Sequence, residues 1–282
     1  MNPYINPFMP DKEPKLFIDL ARILNDKNPR LLKLLPKFIF NYLKKVIHQD
    51  DINEFIKNHG SEDALGFTTS VAKDFRVKIS LNGLENIPKE GGAIMICNHP
   101  LGGLDAMALI PQIAPIRKDI KYIVNDILLN IVALRSIFVG INKHGPNARE
   151  SLRSIEELFA KEQLLILFPA GLVSRKIDGD VKDLPWQKTF VTKAKKYNRP
   201  IIPVHISGQL SPFFYRLSNF RKFLGLKANI EMLYLADEMY GYRGKAIHYE
   251  VGKPIDIEKF PKNLKDKEIC ELIRKELYNL AP

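Results

Sequence analysis

Residues 93–105 read Ala93-Ile94-Met95-Ile96-Cys97-Asn98-His99-Pro100-Leu101-Gly102-Gly103-Leu104-Asp105, and this stretch decides the fold. The apolar run before Asn98 predicts a short buried strand, and the apolar residues after Asp105 predict the start of a helix. His99 therefore stands where a strand ends, and Asp105 stands just past a glycine pair. Open α/β sheets hold their sites at the carboxyl ends of strands, so this turn is a candidate site.

The residue types in this turn suit proton transfer. A histidine oriented by a carboxylate can take a proton from a hydroxyl, which acyl transfer requires. The structural alternatives are that Asp105 caps the following helix and that Gly102 and Gly103 are ordinary turn residues. Cys97 shares a strand face with His99 at i and i+2, but its apolar surroundings favour a packed thiol over a nucleophile. Spacing alone leaves these roles open.

The charge balance limits the class of partner. The 282 residues include 43 Lys and Arg against 32 Asp and Glu, a formal charge of +11, which favours nucleic acid, an anionic membrane or an acidic carrier protein. The sequence has no zinc-finger spacing, recognition-helix motif or aromatic platform, which argues against nucleic acid. The two cysteines, Cys97 and Cys270, form neither a disulfide framework nor a zinc site and suit a reducing compartment.

The N-terminal part of the chain is predicted to be helical and basic. It shows no basic-then-apolar signal pattern, and no run reaches the ~18 apolar residues of a spanning helix, so we expect a soluble or peripheral protein. Between Lys12 and Lys45, nine basic and three acidic residues are mixed with apolar and aromatic side chains at helical spacing. That mixture fits an interfacial membrane helix, and equally a packed helix with a solvated basic face. Residues 213–224 form a second basic and aromatic stretch that fits the same interface, with a packed surface helix as the alternative.

From about Phe75 onward, strand and helix candidates alternate. This alternation predicts an α/β fold with a mixed, largely parallel sheet flanked by helices. Residues 1–74 are expected to form an N-terminal helical segment that docks on a membrane, with Pro36 starting or kinking a helix, and residues 75–282 the α/β domain. The strand candidates are 77–81, 93–97, 121–124, 137–141, 164–168, 201–206, 229–235 and 247–251, and the helix candidates are 104–113, 147–161, 187–197 and 265–280.

Three later segments end strand candidates and can converge with the His99 turn. Lys143 follows one strand, where a cation can meet an anionic substrate, although a solvated loop lysine fits equally well. A Pro-x-Gly turn follows the next strand, and Arg175 beyond it can bind a phosphate or carboxylate through two hydrogen bonds. The third segment, around Pro203, reads as a core strand in which His205 is expected to be packed rather than catalytic.

In this order, the blocks resemble the glycerolipid (lysophospholipid) acyltransferase family, the 1-acylglycerol-3-phosphate acyltransferase-like group, over roughly residues 75–255. Asn98-His99 with Asp105 resembles the family's Asn-His-x4-Asp block, and Phe138 to Lys143 resembles its strand that ends in Arg. Phe168-Pro169-Ala170-Gly171 with Ser174-Arg175 resembles the family's Phe-Pro-Glu-Gly block with Ser-Arg. Ile202-Pro203-Val204 resembles its Val-Pro-Val strand. The chain departs from the family in its longer His-x5-Asp spacing, in Ala170 and in Lys143. Glycine at 102 and 103 can absorb the extra residue. The variant resembles the hemolysin-like branch of aminolipid O-acyltransferases.

The resemblance implies an O-acyltransferase in which His99 is the general base and Asp105 orients its imidazole. It implies transfer of a fatty acyl group from an acyl carrier protein or coenzyme A thioester to the hydroxyl of a lyso-lipid, with no metal and no other cofactor. The implied acceptor is a lyso-aminolipid or lysophosphatidic acid, and the changes at 143 and 170 favour the aminolipid. The implied substrate-binding residues are Asn98, Gly103, Lys143, Phe168, Pro169, Gly171, Ser174 and Arg175.

The expected location is the cytoplasmic face of a membrane, where the protein is peripheral and contacts an anionic surface. The alternative function is that of a catalytically inactive lipid-binding protein at the membrane surface. The longer dyad spacing and the missing acid at Ala170 permit that alternative, although His99 and Asp105 are both present.

Overall fold

A computed structural model of the chain describes residues 16–141 and 148–282, and its contacts divide into two compact units, Met1–Asn58 and His59–Pro282. The first unit contains helices α1 (Leu20–Lys27), α2 (Pro29–Leu34), α3 (Lys37–Val46) and α4 (Gln49–His59). Helices were expected here, and Pro36 directly precedes α3, as its fixed φ predicts. The backbone N–H of Leu20 donates to Oε1 of Gln49 at 2.9 Å, which joins α1 to α4. The irregular lead-in expected at 1–14 lies outside the described residues.

The second unit carries the predicted alternation of strands and helices. Its strands are β1 (Lys78–Asn82), β2 (Ala93–Cys97), β3 (Ile120–Asn125), β4 (Phe138–Ile141), β5 (Leu164–Leu167), β6 (Arg175–Ile177), β7 (Asp180–Lys182), β8 (Ile201–Ile206) and β9 (Ala246–Val251). Its helices are α5 (Ala64–Asp74), α6 (Gly103–Ile113), α7 (Ala148–Ala160), α8 (Thr189–Tyr197), α9 (Pro212–Phe223), α10 (Leu235–Tyr240) and α11 (Asp266–Tyr278). No helix in either described range is long and apolar enough to cross a bilayer.

Seven strands form one mixed sheet in the order β1-β9-β8-β2-β5-β3-β4. Adjacent strands of this sheet pair in parallel, except that β8 and β9 are antiparallel. The predicted mixed, largely parallel sheet is therefore confirmed. Strand β2 lies between β5 and β8 and is buried along its whole length. Ile94 and Ile96 on β2 pack in one core cluster with apolar side chains of α7, α8 and α11. The turn after β2 therefore starts from a fully buried inner strand of the sheet.

Three details of the fold differ from the sequence-based expectation. The second unit begins earlier than the boundary expected at 74/75, because α5 packs on α6. The strand predicted at 229–235 is wrong, since Ile230–Tyr234 forms a 3-10 helix that leads directly into α10. A short apolar run cannot by itself distinguish strand from helix. The antiparallel hairpin of β6 and β7 is an addition to the predicted elements.

Candidate active site

The turn after β2 is fixed by a side chain and by a glycine conformation. The amide of Asn98 donates to the carbonyl oxygen of Ile206 at 2.9 Å and accepts from its backbone N–H at 2.6 Å, which ties the turn to the end of β8. Gly102 has φ 70° and ψ −129°, a conformation that residues with a Cβ rarely adopt. A Cβ at this position would also meet the side chain of Leu235 at 3.0 Å. Helix α6 then begins at Gly103, which places Asp105 in its first turn.

The structure brings His99 and Asp105 into direct contact. Nδ1 of His99 lies 2.8 Å from Oδ2 of Asp105, and the backbone N–H of Leu101 donates to the same oxygen at 3.0 Å. A carboxylate only accepts, so Nδ1 carries the proton in this contact. Asp105 is fully buried, whereas the His99 side chain is 19% exposed. Within the described residues Nε2 of His99 has no hydrogen-bond partner, so it is the nitrogen open to a ligand.

Burial changes the acidity of the groups at the end of β2. It raises the pKa of Asp105 above its usual value, and the hydrogen bond from His99 opposes this rise without cancelling it. Oδ1 of Asp105 is buried without a partner among the described residues. Burial also raises the pKa of the Cys97 thiol well above its usual value. Cys97 is thus a packed, protonated thiol, and the structure gives no support to a nucleophilic role.

The Pro-x-Gly turn after β5 contributes an aromatic ring to the site. The ring of Phe168 stacks on the imidazole of His99 with centroids 4.3 Å apart. The backbone N–H of Gly171 donates to the carbonyl oxygen of Phe168 at 3.0 Å, which closes the turn. Gly171 has φ +68°, and nothing lies within 4 Å of the position a Cβ would take. Pro169 is buried, and its carbonyl oxygen accepts from the backbone N–H of Gln187.

A buried carboxylate that the sequence did not single out holds the backbone of the site. Oδ1 of Asp183 accepts from the His99 backbone N–H at 3.1 Å and from Oγ of Ser174 at 2.6 Å. Its Oδ2 accepts from Nε1 of Trp186 at 2.8 Å. The backbone N–H of Ser174 in turn donates to the His99 carbonyl oxygen at 2.8 Å. The available sequence signal was an aspartate three residues before the single tryptophan of the chain.

Arg175, which the sequence offered as an anion-binding residue, is buried and paired within the protein. Its guanidinium group is 1% exposed and donates to the Val173 carbonyl oxygen and to Oε1 of Glu231, the latter at 2.9 Å. Nε of Arg221 also lies 2.9 Å from Oε2 of Glu231. A buried carboxylate between two guanidinium groups is an internal ion-pair network, so Arg175 joins the β6 hairpin to the 3-10 helix at Ile230–Tyr234.

The side chains of Asn98 and Ser174 are also buried, with hydrogen bonds to Ile206 and Asp183, and their role in substrate binding stays a prediction. Gly103 is exposed at the start of α6. Lys143 lies outside the described residues.

His205 is packed as expected, with its ring against Tyr278 and its pKa lowered by burial. Across the described ranges, no group of three or more His, Cys, Asp or Glu side chains is placed to hold a metal ion.

Comparison with known proteins gives a consistent family. A family model described as Acyltransferase matches residues 22–282. The lyso-glycine lipid O-acyltransferase of Bacteroides thetaiotaomicron is 42% identical over 267 residues, which cover 93% of this chain and 97% of that protein. The lyso-glycine lipid O-acyltransferase of Phocaeicola vulgatus is 39% identical over 264 residues, which cover 93% of this chain and 95% of that protein.

Among solved structures, the chain is similar to the 1-acyl-sn-glycerophosphate (LPA) acyltransferase PlsC from Thermotoga maritima. The match has a TM-score of 0.49 and 18% sequence identity, and it covers 93% of this chain and 96% of that one.

Proposed function

The chain belongs to the acyltransferase family, and from this premise we propose that His99 and Asp105 catalyse transfer of a fatty acyl group from a thioester to the hydroxyl of a lyso-lipid. The observation that carries the proposal is the 2.8 Å contact between His99 Nδ1 and Asp105 Oδ2. The carboxylate is sealed from water while the imidazole is partly open. Such a pair can hold a proton at one nitrogen and exchange a second proton at the other.

The reaction follows from the open nitrogen of the imidazole. Nε2 of His99 takes the proton of the acceptor hydroxyl as the oxygen attacks the thioester carbonyl carbon. Asp105 stabilises the imidazolium that forms, because its carboxylate accepts from Nδ1 in a water-excluded position. The tetrahedral intermediate then breaks its carbon–sulfur bond, and the leaving thiolate takes the proton from Nε2. An ester and a free thiol result, and the histidine returns to its starting state.

For the acceptor, we propose a lyso-aminolipid of the kind named for the two relatives, a lyso-glycine lipid. The state of Arg175 supports this choice over lysophosphatidic acid. Its guanidinium group is neutralised by Glu231 and buried, so it is not available to a phosphate headgroup. Ala170, in place of an acidic residue, likewise departs from the pattern of enzymes that use glycerol phosphate lipids.

The donor and the location are part of the same proposal. The donor is an acyl carrier protein or coenzyme A thioester, and no metal or further cofactor takes part.

An acyl chain with ten buried methylenes gains about 8 kcal/mol on leaving water, so acceptor and product stay in a bilayer. We place the protein as a peripheral protein on the cytoplasmic face of an anionic membrane. Helix α3 supports docking, because Phe38 on it is 73% exposed beside exposed Lys37 and Lys45.

The test is an acyl-transfer assay with both thioester donors and with lyso-glycine lipid and lysophosphatidic acid as acceptors. His99→Ala is expected to lower kcat/KM about 10²–10⁴-fold without changing the melting temperature, because it removes the general base. His248→Ala is the matched control, since His248 is also half-buried and bonded to a carboxylate, Oε2 of Glu250 at 3.1 Å.

Full activity of His99→Ala would contradict the mechanism. Turnover of lysophosphatidic acid without turnover of lyso-glycine lipid would contradict the acceptor. Lyso-lipid binding with no thioester consumption by the unaltered protein would instead establish the inactive lipid-binding alternative.

A further inference from the structure

Helix α9 carries large apolar side chains on its outer side as well as on its inner side. Phe214 and Tyr215 are buried beneath the helix, as an amphipathic helix requires. On the other side Phe213 and Phe220 are exposed, and Phe223 is 86% exposed. Leu224 and Leu226 continue the exposed apolar surface beyond the end of the helix. Single exposed apolar residues are normal, but this concentration within fourteen residues indicates a surface that meets an apolar partner.

The exposed charged residues of this segment of the chain all have one sign. These residues are Arg216, Lys222 and Lys227. No aspartate or glutamate occurs from Ser207 to Ile230. We call Phe213, Phe220, Phe223, Leu224 and Leu226, together with these three cations, the α9 surface. Aromatic and basic side chains mixed in this way favour the boundary between lipid headgroups and acyl chains.

The elements that follow the α9 surface along the chain reach the candidate active site. Leu235, at the start of α10, packs over Gly102 in the turn between His99 and Asp105. The rings of Phe213 and Tyr234 meet at 4.9 Å, which joins α9 to the 3-10 helix before α10. Through these contacts, α9 is connected to the turn that carries His99 and Asp105.

We propose that the α9 surface inserts into the headgroup region of an anionic bilayer and holds the His99 turn at the membrane surface, where a single-chain acceptor can reach it. The inference rests on the proposed function for the identity of the lipid substrate, but the insertion itself is independent of catalysis. A bilayer fits better than an acidic carrier protein because five large apolar side chains outnumber the three exposed cations. An acidic protein surface would gain little from phenylalanine side chains this exposed.

The first experiment measures cosedimentation of the full chain with vesicles of phosphatidylcholine, with and without phosphatidylglycerol. Phe220→Ser with Phe223→Ser is expected to lower the partition coefficient at least ~10-fold on both vesicle types, because it removes apolar area. Lys222→Gln with Lys227→Gln is expected to lower it about 10-fold on the anionic vesicles only. Leu272→Ser is the matched control, because Leu272 is an exposed leucine on α11. It is expected to bind like the unaltered protein.

The second experiment reports insertion directly. A Phe223→Trp chain is mixed with vesicles whose acyl chains carry bromine, which quenches only indoles that enter the bilayer. We expect quenching of the new indole and none in the unaltered protein, whose single Trp186 is buried and bonded to Asp183.

A third measurement separates the inference from the proposed function. With acceptor dispersed in detergent, Phe220→Ser with Phe223→Ser is expected to keep the kcat of the unaltered protein, and with acceptor in vesicles its rate is expected to fall with the bound fraction. Unchanged vesicle binding of this variant, or loss of binding only to an acyl carrier protein, would overturn the inference. Absence of all acyl transfer would overturn the proposed function, while the quenching result would still decide insertion.

Discussion

His99 and Asp105 differ in their access to water although a hydrogen bond joins them. Asp105 is fully buried, and only one of its two oxygens has partners among the described residues. Burying a carboxylate with an unpaired oxygen costs folding free energy, and such costs concentrate at functional sites. The contact with Asp105 orients the imidazole of His99, and the exposed part of that imidazole can be reached by a ligand.

Asp105→Asn is expected to lower kcat about 10²–10⁴-fold, because an amide carries no charge to stabilise the imidazolium. Whereas the substitution lowers activity, it is expected to favour folding increasingly as the pH rises. The pKa of folded Asp105 is raised by burial, so the stability this group contributes is full below its unfolded pKa of about 3.9 and is lost as the pH rises through the raised value. Asparagine suffers no such loss, so the stability of the variant relative to the unaltered protein should grow with pH.

The measurement is thermal unfolding of both proteins from about pH 4 to pH 8, together with kcat at neutral pH. A stability difference that stays constant over this range would show that the ionisation of Asp105 is not disfavoured by folding.

Among the structural elements, the turn between β2 and α6 fixes the distance between His99 and Asp105. Gly102→Ala is expected to destabilise the fold by about 1–3 kcal/mol, because alanine disfavours φ 70° with ψ −129° and its Cβ would press on Leu235. It should also lower kcat, since any relaxation of the turn moves His99 relative to Asp105. Urea unfolding and steady-state kinetics check both effects.

Gly244→Ala is the control for backbone strain, because Gly244 has φ +75° and open space where its Cβ would lie. This control should lose some stability and keep kcat. Equal loss of kcat in the two variants would mean that the Gly102 turn has no special part in positioning the site.

The elements of this fold differ in how far the sequence predicted them. Strand β2 was predicted residue for residue, because an apolar run ends at a sharp polar and glycine turn. The β6–β7 hairpin was readable from Asp178-Gly179, a pair with positive φ values typical of a tight hairpin turn, but its strands are too short to stand out. The 3-10 helix at Ile230–Tyr234 forms where Glu231 meets two guanidinium groups, a tertiary contact that no local pattern reveals.

The residues of the candidate site also differ in how far the sequence predicted their roles. The proximity of His99 and Asp105 could be predicted from their spacing across one turn. The internal pairing of Arg175 and the part played by Asp183 could not, because both depend on residues that approach from distant parts of the chain, such as Glu231. Sequence identified the residues of the turn, and the fold decided which of them remain open to a ligand.

At the scale of the whole molecule, exposed apolar and basic side chains occur in both compact units. In the first unit they lie on α3, where Phe38 is exposed beside Lys37 and Lys45. In the second unit they form the α9 surface. Two weak attachments on one chain bind a membrane more tightly than either one, because the second attaches at a high effective concentration. Each unit should therefore contribute separately to membrane affinity.

Charge reversal on α3 tests the contribution of the first unit. Lys37→Glu with Lys45→Glu is expected to lower partition to anionic vesicles at least ~10-fold, because each basic residue near the surface adds about 1 kcal/mol and reversal adds repulsion. The loss should shrink as salt is raised. The matched control is Lys267→Glu with Lys275→Glu on α11, which makes the same net charge change at the same spacing on an exposed helix. Equal loss in the two double variants would show that net charge rather than α3 directs docking, and loss specific to α3 would assign this helix to the membrane-facing surface.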